Sequence, residues 1–220
     1  MNDIFEYLKE ILTSEKAKAF YKEAIETIVF VLVMVIIIRF FVAEVRWIPS
    51  ESMVPTLKVG DRLIVERFSR FYREPQRGDI LVFYPPHETL KYDVVSVFTR
   101  LTGFFCKDIA YIKRVVGLPG DKINIKTDEV GNTFVYVNDK KLKELYVKDV
   151  TDINYPCNSA MHYCKDITVP EDSLFMMGDN RGHSSDSRYW GFLPKDRIVG
   201  RAVFVFWPFN RVEVFEKVNY

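Results

Sequence analysis

Apolar and polar positions along the chain change period twice and so divide it into three stretches. At the start, Ile4, Phe5, Leu8, Ile11 and Leu12 recur at helical spacing with charges opposite, which predicts an amphipathic surface helix over 2–12. Ser14 is placed to cap a second helix starting at Glu15. From Ile28 to Ile38 every residue is apolar, and with Arg39 admitted the run reaches Ala43. A helix of about seventeen residues spans about 26 Å, enough for a bilayer's hydrocarbon core. The run therefore predicts a single transmembrane anchor over 27–45, preceded by a cytoplasmic segment over 1–26 and followed by a domain over 46–220 outside the membrane. A core helix is the alternative for a run of this length. Arg39 lies near the end of the run, where its charge can snorkel to the headgroups, with Phe40, Phe41 and Trp47 at interfacial depth. A cleaved leader does not fit, because the run begins deep in the chain and no small-x-small site follows it. Lys9, Lys16, Lys18 and Lys22 precede the run and Arg46, Lys58 and Arg62 follow it, a slight bias toward a cytoplasmic N-terminus.

Beyond Leu57 the period shortens to that of strands. Arg62 to Val65, Asp79 to Tyr84, Ile109 to Val116, Lys122 to Lys126, Thr133 to Val137 and Ile198 to Trp207 are short β-rich runs, separated by Gly, Pro, Asn and Asp. Leu118-Pro119-Gly120-Asp121 fits a type II turn, with Gly where φ must be positive. The fold class expected is mainly β: one membrane helix, then an all-β domain of coiled, barrel-like sheets with no alternating βα units. Pro85 to Asp108 and Lys140 to Asp166 fit less regular insertions.

Charge adds an exclusion. Lysine and arginine number 31 against 30 aspartates and glutamates, so no global field attracts a polyanion, and nucleic acid is not an expected partner. The 18 Phe, 12 Tyr and 3 Trp suit a β-rich domain, a membrane surface, or both. Of the three cysteines, Cys157 and Cys164 flank a short polar segment, and in an oxidising compartment they can close a disulfide loop. His162 between them permits a metal reading, although a structural zinc wants four ligands in paired spacings. A reduced, buried pair is the third possibility.

Three clusters carry candidate chemistry. In Trp47 to Leu57 two prolines bracket Ser50 and Ser52, so neither helix nor central strand continues there and Ser52 sits on a stiff loop beside Ile48, Met53 and Leu57. A fixed hydroxyl in a dry cleft is what a nucleophile needs, although Ser and Pro also build ordinary turns. In Tyr111 to Val116, Lys113 is flanked by apolar residues on an expected strand. Desolvation there disfavours its charge and suits it to take a hydroxyl proton, while a solvated strand lysine is the plainer alternative. Gly178 to Arg181 and Ser184 to Gly191 concentrate small polar and charged groups, as a hydrogen-bonded support or a surface turn network would.

Taken together and in this order, the clusters resemble the type I signal peptidases of bacteria. Pro49-Ser-Glu-Ser-Met-Val-Pro-Thr-Leu57 resembles the family's nucleophile box, Tyr111-Ile-Lys-Arg-Val-Val-Gly-Leu-Pro-Gly-Asp121 its base box, and Gly178-Asp-Asn-Arg181 with Ser184-Ser-Asp-Ser-Arg-Tyr-Trp-Gly191 its supporting box. The resemblance runs from about Ile28 to Trp207. It implies Ser52 as nucleophile, Lys113 as general base, Ser50 and the Ser52 amide as oxyanion hole, and Ser184 as the serine that orients the lysine. Asp179, Arg181, Asp186 and Arg188 take structural roles, pairing among themselves or with Arg114. Ile48, Met53, Leu57, Tyr111 and Ile112 match the lining of pockets for alanine-sized side chains. The expected activity is removal of signal peptides from exported preproteins at the bacterial cytoplasmic membrane, in contact with lipid and near the export channel, without a metal or organic cofactor.

Three positions depart from the family pattern. Glu51 stands where glycine is common, Arg46 where an apolar residue helps form a pocket, and His183 where a small polar amide is usual. Rival readings are a Ser-His peptidase using His183 and Asp186, a self-cleaving repressor-type peptidase, and a membrane-anchored β scaffold without catalysis. Nothing before Ile48 reads as the DNA-binding region the second would need.

Overall fold

The computed structural model describes residues 14–102, 108–152, 155, 157 and 162–215. The helix expected over 2–12 and Cys106 lie outside these residues. Helix α1 spans Glu15–Ile37, and Ser14 Oγ accepts the Ala17 N–H at 3.2 Å, the cap expected from the sequence. No residue of α1 is buried, and Ile28, Phe30, Val31 and Leu32 are 46% to 65% exposed. Among the described residues no helix is long and apolar enough to cross a membrane. The apolar run is divided between geometries: the α-helix ends at Ile37, a π-helical turn covers Ile38–Val42, and strand β1 takes Ala43–Trp47. The last three residues of the expected 27–45 span are thus extended backbone, paired antiparallel with β2, Arg62–Glu66.

Arg39 also differs from expectation. Its guanidinium turns back to Glu44 at 4.0 Å, where Arg46 at 2.6 Å and Arg67 at 3.3 Å converge on the same buried carboxylate. A buried glutamate draws cations because unpaired it would be too costly to keep charged. Arg46, which the sequence set in a pocket position, is thereby engaged by Glu44 two residues away.

The remaining chain is antiparallel β. Strands β3 (Ile80–Phe83), β4 (Tyr111–Gly117), β5 (Lys122–Thr127), β6 (Thr133–Val137), β7 (Lys140–Lys141), β8 (Ile167–Thr168), β9 (Ser173–Met177), β10 (Leu193–Pro194), β11 (Ile198–Trp207) and β12 (Glu213–Val214) complete it. They form two sheets, one ordered β1-β2-β11-β3-β4-β9-β10 with β12 beside β11, the other β7-β6-β5-β8. Register shifts near Ala202, Val205, Ile198 and Val115 bend the larger sheet, as bulges do, and curl it into a half-barrel. All six expected strands are present, because alternating or wholly apolar short runs bury one or both faces. In the turn Leu118 to Asp121, Gly120 takes φ +81° and the Asp121 N–H donates to the Leu118 carbonyl at 3.0 Å.

Three apolar clusters fill the interior. One joins Ile48, Met53 and Leu57 to Leu63, Val65, Ile80, Val82 and Val205 beneath the Ser52 loop. A second lies between the smaller sheet and β9, and a third packs Leu81, Phe83 and Val115 against Leu174 and Met176. The insertion after β3, expected to be irregular, carries helix α2, Val94–Thr102. Helix α3, Ser187–Trp190, lies in the loop after β9, N-capped by Asp186.

Candidate active site

Ser52 lies on the loop between β1 and β2, 9% exposed. Successive turns stiffen this loop: Val54 N–H donates to Glu51 O at 3.0 Å and Leu57 N–H to Met53 O at 2.9 Å. Met53 and Leu57 are buried in the core below and hold it down. Lys113 lies on β4, 61 residues away along the chain, and β3 pairs beside it with Leu81 opposite. The fold brings the two together, with Lys113 Nζ 2.7 Å from Ser52 Oγ. The amine also donates to the Ile112 carbonyl at 3.0 Å and lies 5.5 Å from the Tyr111 ring centre. Burial pushes the Lys113 amine down to about 8, against the carboxylates of Asp186 and Asp179, which pull it up. About one tenth of such amines are neutral at pH 7, against a negligible share for an ordinary lysine, and the neutral form is what a general base needs.

Ser50 Oγ is 3.3 Å from Ser52 Oγ, on the exposed side of the loop. Ser184 is buried close behind the nucleophile, but its Oγ reaches no partner at hydrogen-bond geometry, and Lys113 Nζ donates to Ser52 and Ile112 instead. Burial pushes the Asp186 carboxyl up, yet Arg188 and the Gly178 N–H hold it net below its ordinary range. Ile48, Met53 and Leu57, expected to line pockets, are core residues at most 2% exposed; Tyr111 and Ile112 are half-buried. Glu51 is exposed, and Asn180 Nδ2 donates to its backbone carbonyl at 3.1 Å.

The supporting residues pair by a rule the sequence left open. Arg114 grips Asp179 with two contacts, 2.8 Å and 2.6 Å, and Thr56 donates to the same carboxylate at 2.6 Å. Arg188 holds Asp186 at 2.8 Å and 3.0 Å and donates to the Arg181 carbonyl at 2.6 Å. Arg181 pairs with neither aspartate. It reaches Glu144 at 2.5 Å and 3.0 Å, the Tyr155 hydroxyl, and the Gly178 carbonyl at 2.9 Å. Burial pushes that Tyr155 hydroxyl up to about 12 despite the neighbouring Arg181, so it stays a neutral partner.

Asn180, Thr56, Gly178, Glu144 and Tyr155 were not singled out from the sequence. The first three lie inside the quoted boxes, where a check for side chains able to bridge two loops would have flagged Asn180 and Thr56. Asn180 also donates its N–H to the Ser52 carbonyl at 3.2 Å, so the loop after β9 clamps the Ser52 loop at two points. Gly178 allows that approach, since a Cβ there would overlap the Ser52 carbonyl and Ser184 Oγ. Glu144 and Tyr155 come from the 140–166 insertion and carried no local signal. Cys157 and Cys164 in that insertion are bonded to each other, which removes both sulfurs from the metal reading.

His183 lies outside the Ser52–Lys113 contact. Its side chain is 65% exposed and faces Asp152 at 3.8 Å, while Asp186 is taken by Arg188. The scaffold reading expected an exposed, fully protonated lysine, and Lys113 is buried beside Ser52.

A curled antiparallel half-barrel, with the Ser52 loop clamped to the loop after β9 and a buried lysine beside it, is the framework of a β-sheet hydrolase. The chain belongs to the signal peptidase, peptidase S26 family, which matches residues 21–207. It is 42% identical to the probable signal peptidase I-1 of a Synechocystis species, over 87% of this chain and 85% of that protein. Identity to the signal peptidase I of Leptolyngbya laminosa is also 42%, over 90% of this chain and 85% of the relative. For the signal peptidase I of Bacillus licheniformis it is 32%, over 93% of this chain and 97% of that one.

Proposed function

We propose that this signal peptidase works as a membrane-anchored serine endopeptidase, cutting N-terminal signal peptides from exported preproteins after small residues through a Ser52–Lys113 dyad. The observation that carries this reading is the 2.7 Å contact between a buried amine and a loop hydroxyl. Ser52 Oγ attacks the scissile carbonyl as Lys113 takes its proton, and the negative charge moves to the carbonyl oxygen. Ser50 Oγ and the Ser52 N–H supply donors to that oxygen. Collapse of the intermediate breaks the C–N bond, and Lys113 returns the proton to the leaving amine. Water then attacks the acyl ester with Lys113 again as base, which frees the new carboxylate and restores Ser52. Side chains and backbone of this chain carry every step.

Ile48, Met53 and Leu57 act from below, as the floor that sets the depth of pockets walled by Tyr111 and Ile112. A shallow floor admits alanine-sized side chains. Glu51, exposed, leaves its charge in solvent. Ser184, buried with its hydroxyl near Gly178 beside the Ser52 carbonyl, is the residue assigned to orient the lysine.

The exposed apolar face of α1 and the adjoining π turn support its role as anchor, with the N-terminus in the cytoplasm and residues 46–220 outside the bacterial cytoplasmic membrane. Val45, Trp47, Trp207 and Phe209 are exposed on the domain, 41% to 77%, and support contact with lipid close to the export channel, whereas Phe215 covers core. The Cys157–Cys164 bond suits an oxidising, extracytoplasmic compartment.

The test is preprotein cleavage in detergent. Ser52→Ala and Lys113→Ala should each lower kcat by about 10³-fold or more. Full activity in both would overturn the assignment, and loss in His183→Ala with Lys113→Ala intact would transfer the base role to the histidine.

A further inference from the structure

Between β3 and β4 lies a helix turned inside out. Helix α2 is capped by Asp93, whose carboxylate accepts the Ser96 N–H at 3.0 Å and the Ser96 hydroxyl at 2.7 Å. Most of its apolar side chains are exposed: Val94 is 85% exposed, Val95 70% and Phe98 56%, with Val97 lower at 37%. Polar Ser96, Thr99 and Arg100 are the half-buried positions. Arg100 is held by Asp108 at 3.1 Å and lies 5.3 Å from the Tyr92 ring centre. A helix on a water-facing surface turns its apolar stripe inward, because each large apolar chain left in water forgoes the gain of burial. The polarity of α2 suits a surface whose surroundings are apolar.

Its neighbours say what those surroundings are. Helix α2 packs against the π-helical turn Ile38–Val42, where the apolar helix passes into the sheet. At the same place the 3₁₀ turn Phe68–Phe71 presents Phe68 at 57% and Phe71 at 56% exposure, followed by Tyr72 at 65%. The Phe71 ring lies 6.2 Å from that of Phe41 at the end of the apolar run. Helix, turn and anchor end thus share one border of exposed apolar and aromatic groups, the composition of a lipid interface.

We propose that α2 is a second membrane contact, lying in the outer lipid interface with Val94, Val95 and Phe98 at the level of the upper acyl chains. This rests on the reading of α1 as the anchor. The joint is tied to the sheet through Arg67, whose N–H donates to the Val42 carbonyl at 2.9 Å. A helical contact beside it, added to the exposed groups of β1 and of the end of β11, fixes the tilt of the domain and keeps Ser52 facing the bilayer.

Spin labels on the full chain in phosphatidylcholine–phosphatidylglycerol vesicles test it, in a Cys106→Ser background where an added cysteine is the free thiol. Collisions with oxygen, concentrated in lipid, are compared with collisions with a water-soluble nickel chelate at Val95→Cys, Lys91→Cys and Met34→Cys. Oxygen should dominate severalfold at 34 and at 95, and the nickel chelate at 91. Lipid exposure at 34 with nickel access at 95 would overturn the second contact and leave the anchor standing. Nickel access at both would overturn anchor and contact together. A label at 95 shielded from both reagents would mean that a protein surface, such as a second copy, covers α2, and would also overturn the proposal.

Discussion

Lys113 concentrates the residue-scale consequences. Its amine is 4% exposed and titrates near 8, so peptide cleavage measured as kcat/KM should rise about tenfold per pH unit below 8 and level off above it. A flat profile between pH 6 and 9 would contradict the role. Stability carries the opposite stamp. Between about 8 and its ordinary 10.5 the amine is neutral when folded and protonated when unfolded, so the unfolded state binds more protons and stability rises with pH across that window. Below about 8 the whole penalty is present, on the order of 3 kcal/mol. Lys113→Met should therefore stabilise the protein at pH 7 by about 1–3 kcal/mol while abolishing cleavage, and urea denaturation should show the gain fading toward pH 10.5. Gly178→Ala pushes a Cβ into the Ser52 carbonyl. It should lower kcat about 10-fold or more with the secondary structure by circular dichroism intact. Ser52 and Lys113 were legible in the sequence as candidates through the resemblance of three clusters in order, since a serine between prolines or a lysine among apolar strand residues fits an ordinary turn or strand equally well. Their contact was not, since no local pattern encodes a distance across 61 residues.

At the scale of elements, the clamp between the Ser52 loop and the loop after β9 depends on Arg114, whose strand β4 also carries Lys113. Asp179→Ala leaves that buried guanidinium without its carboxylate. It should reduce unfolding free energy by about 3–5 kcal/mol in a urea titration and lower kcat in parallel. Asp179→Asn, which keeps an acceptor, should lose less. Strand periodicity announced β2 through β6 and β11, whereas β1 was absorbed into the apolar run before it. An unbroken row of apolar residues reads alike as helix or buried strand, and pairing of Ala43 to Trp47 with Arg62 to Glu66 settled the matter. Helix α2 escaped notice for another reason. Nine residues of mixed character after two prolines make a weak helical signal, and its inverted facing becomes visible only against the rest of the molecule.

For the whole molecule, the 140–166 insertion braces the loop after β9: it sends Glu144 and Tyr155 to Arg181, and the Cys157–Cys164 bond closes a short loop within it. Reduction of that bond should destabilise the domain by about 2–3 kcal/mol, on loop-closure grounds, and loosen Arg181 before the half-barrel melts. Thermal unfolding with and without reductant, followed by residual cleavage, measures both effects. Sequence alone determined the β character, most strand positions, the turn at Gly120 and the cap at Ser14, because backbone preference and side-chain alternation are properties of neighbouring residues, and it named the candidate nucleophile and base only through the family resemblance of three clusters taken together. Tertiary structure decided which acid met which arginine, that Ser184 stops short of the lysine, that Arg39 and Arg46 serve Glu44, and that Ile48, Met53 and Leu57 lie beneath the site. Ion pairing and desolvation act through space, and a folded chain sets those distances by packing rather than by order along its length.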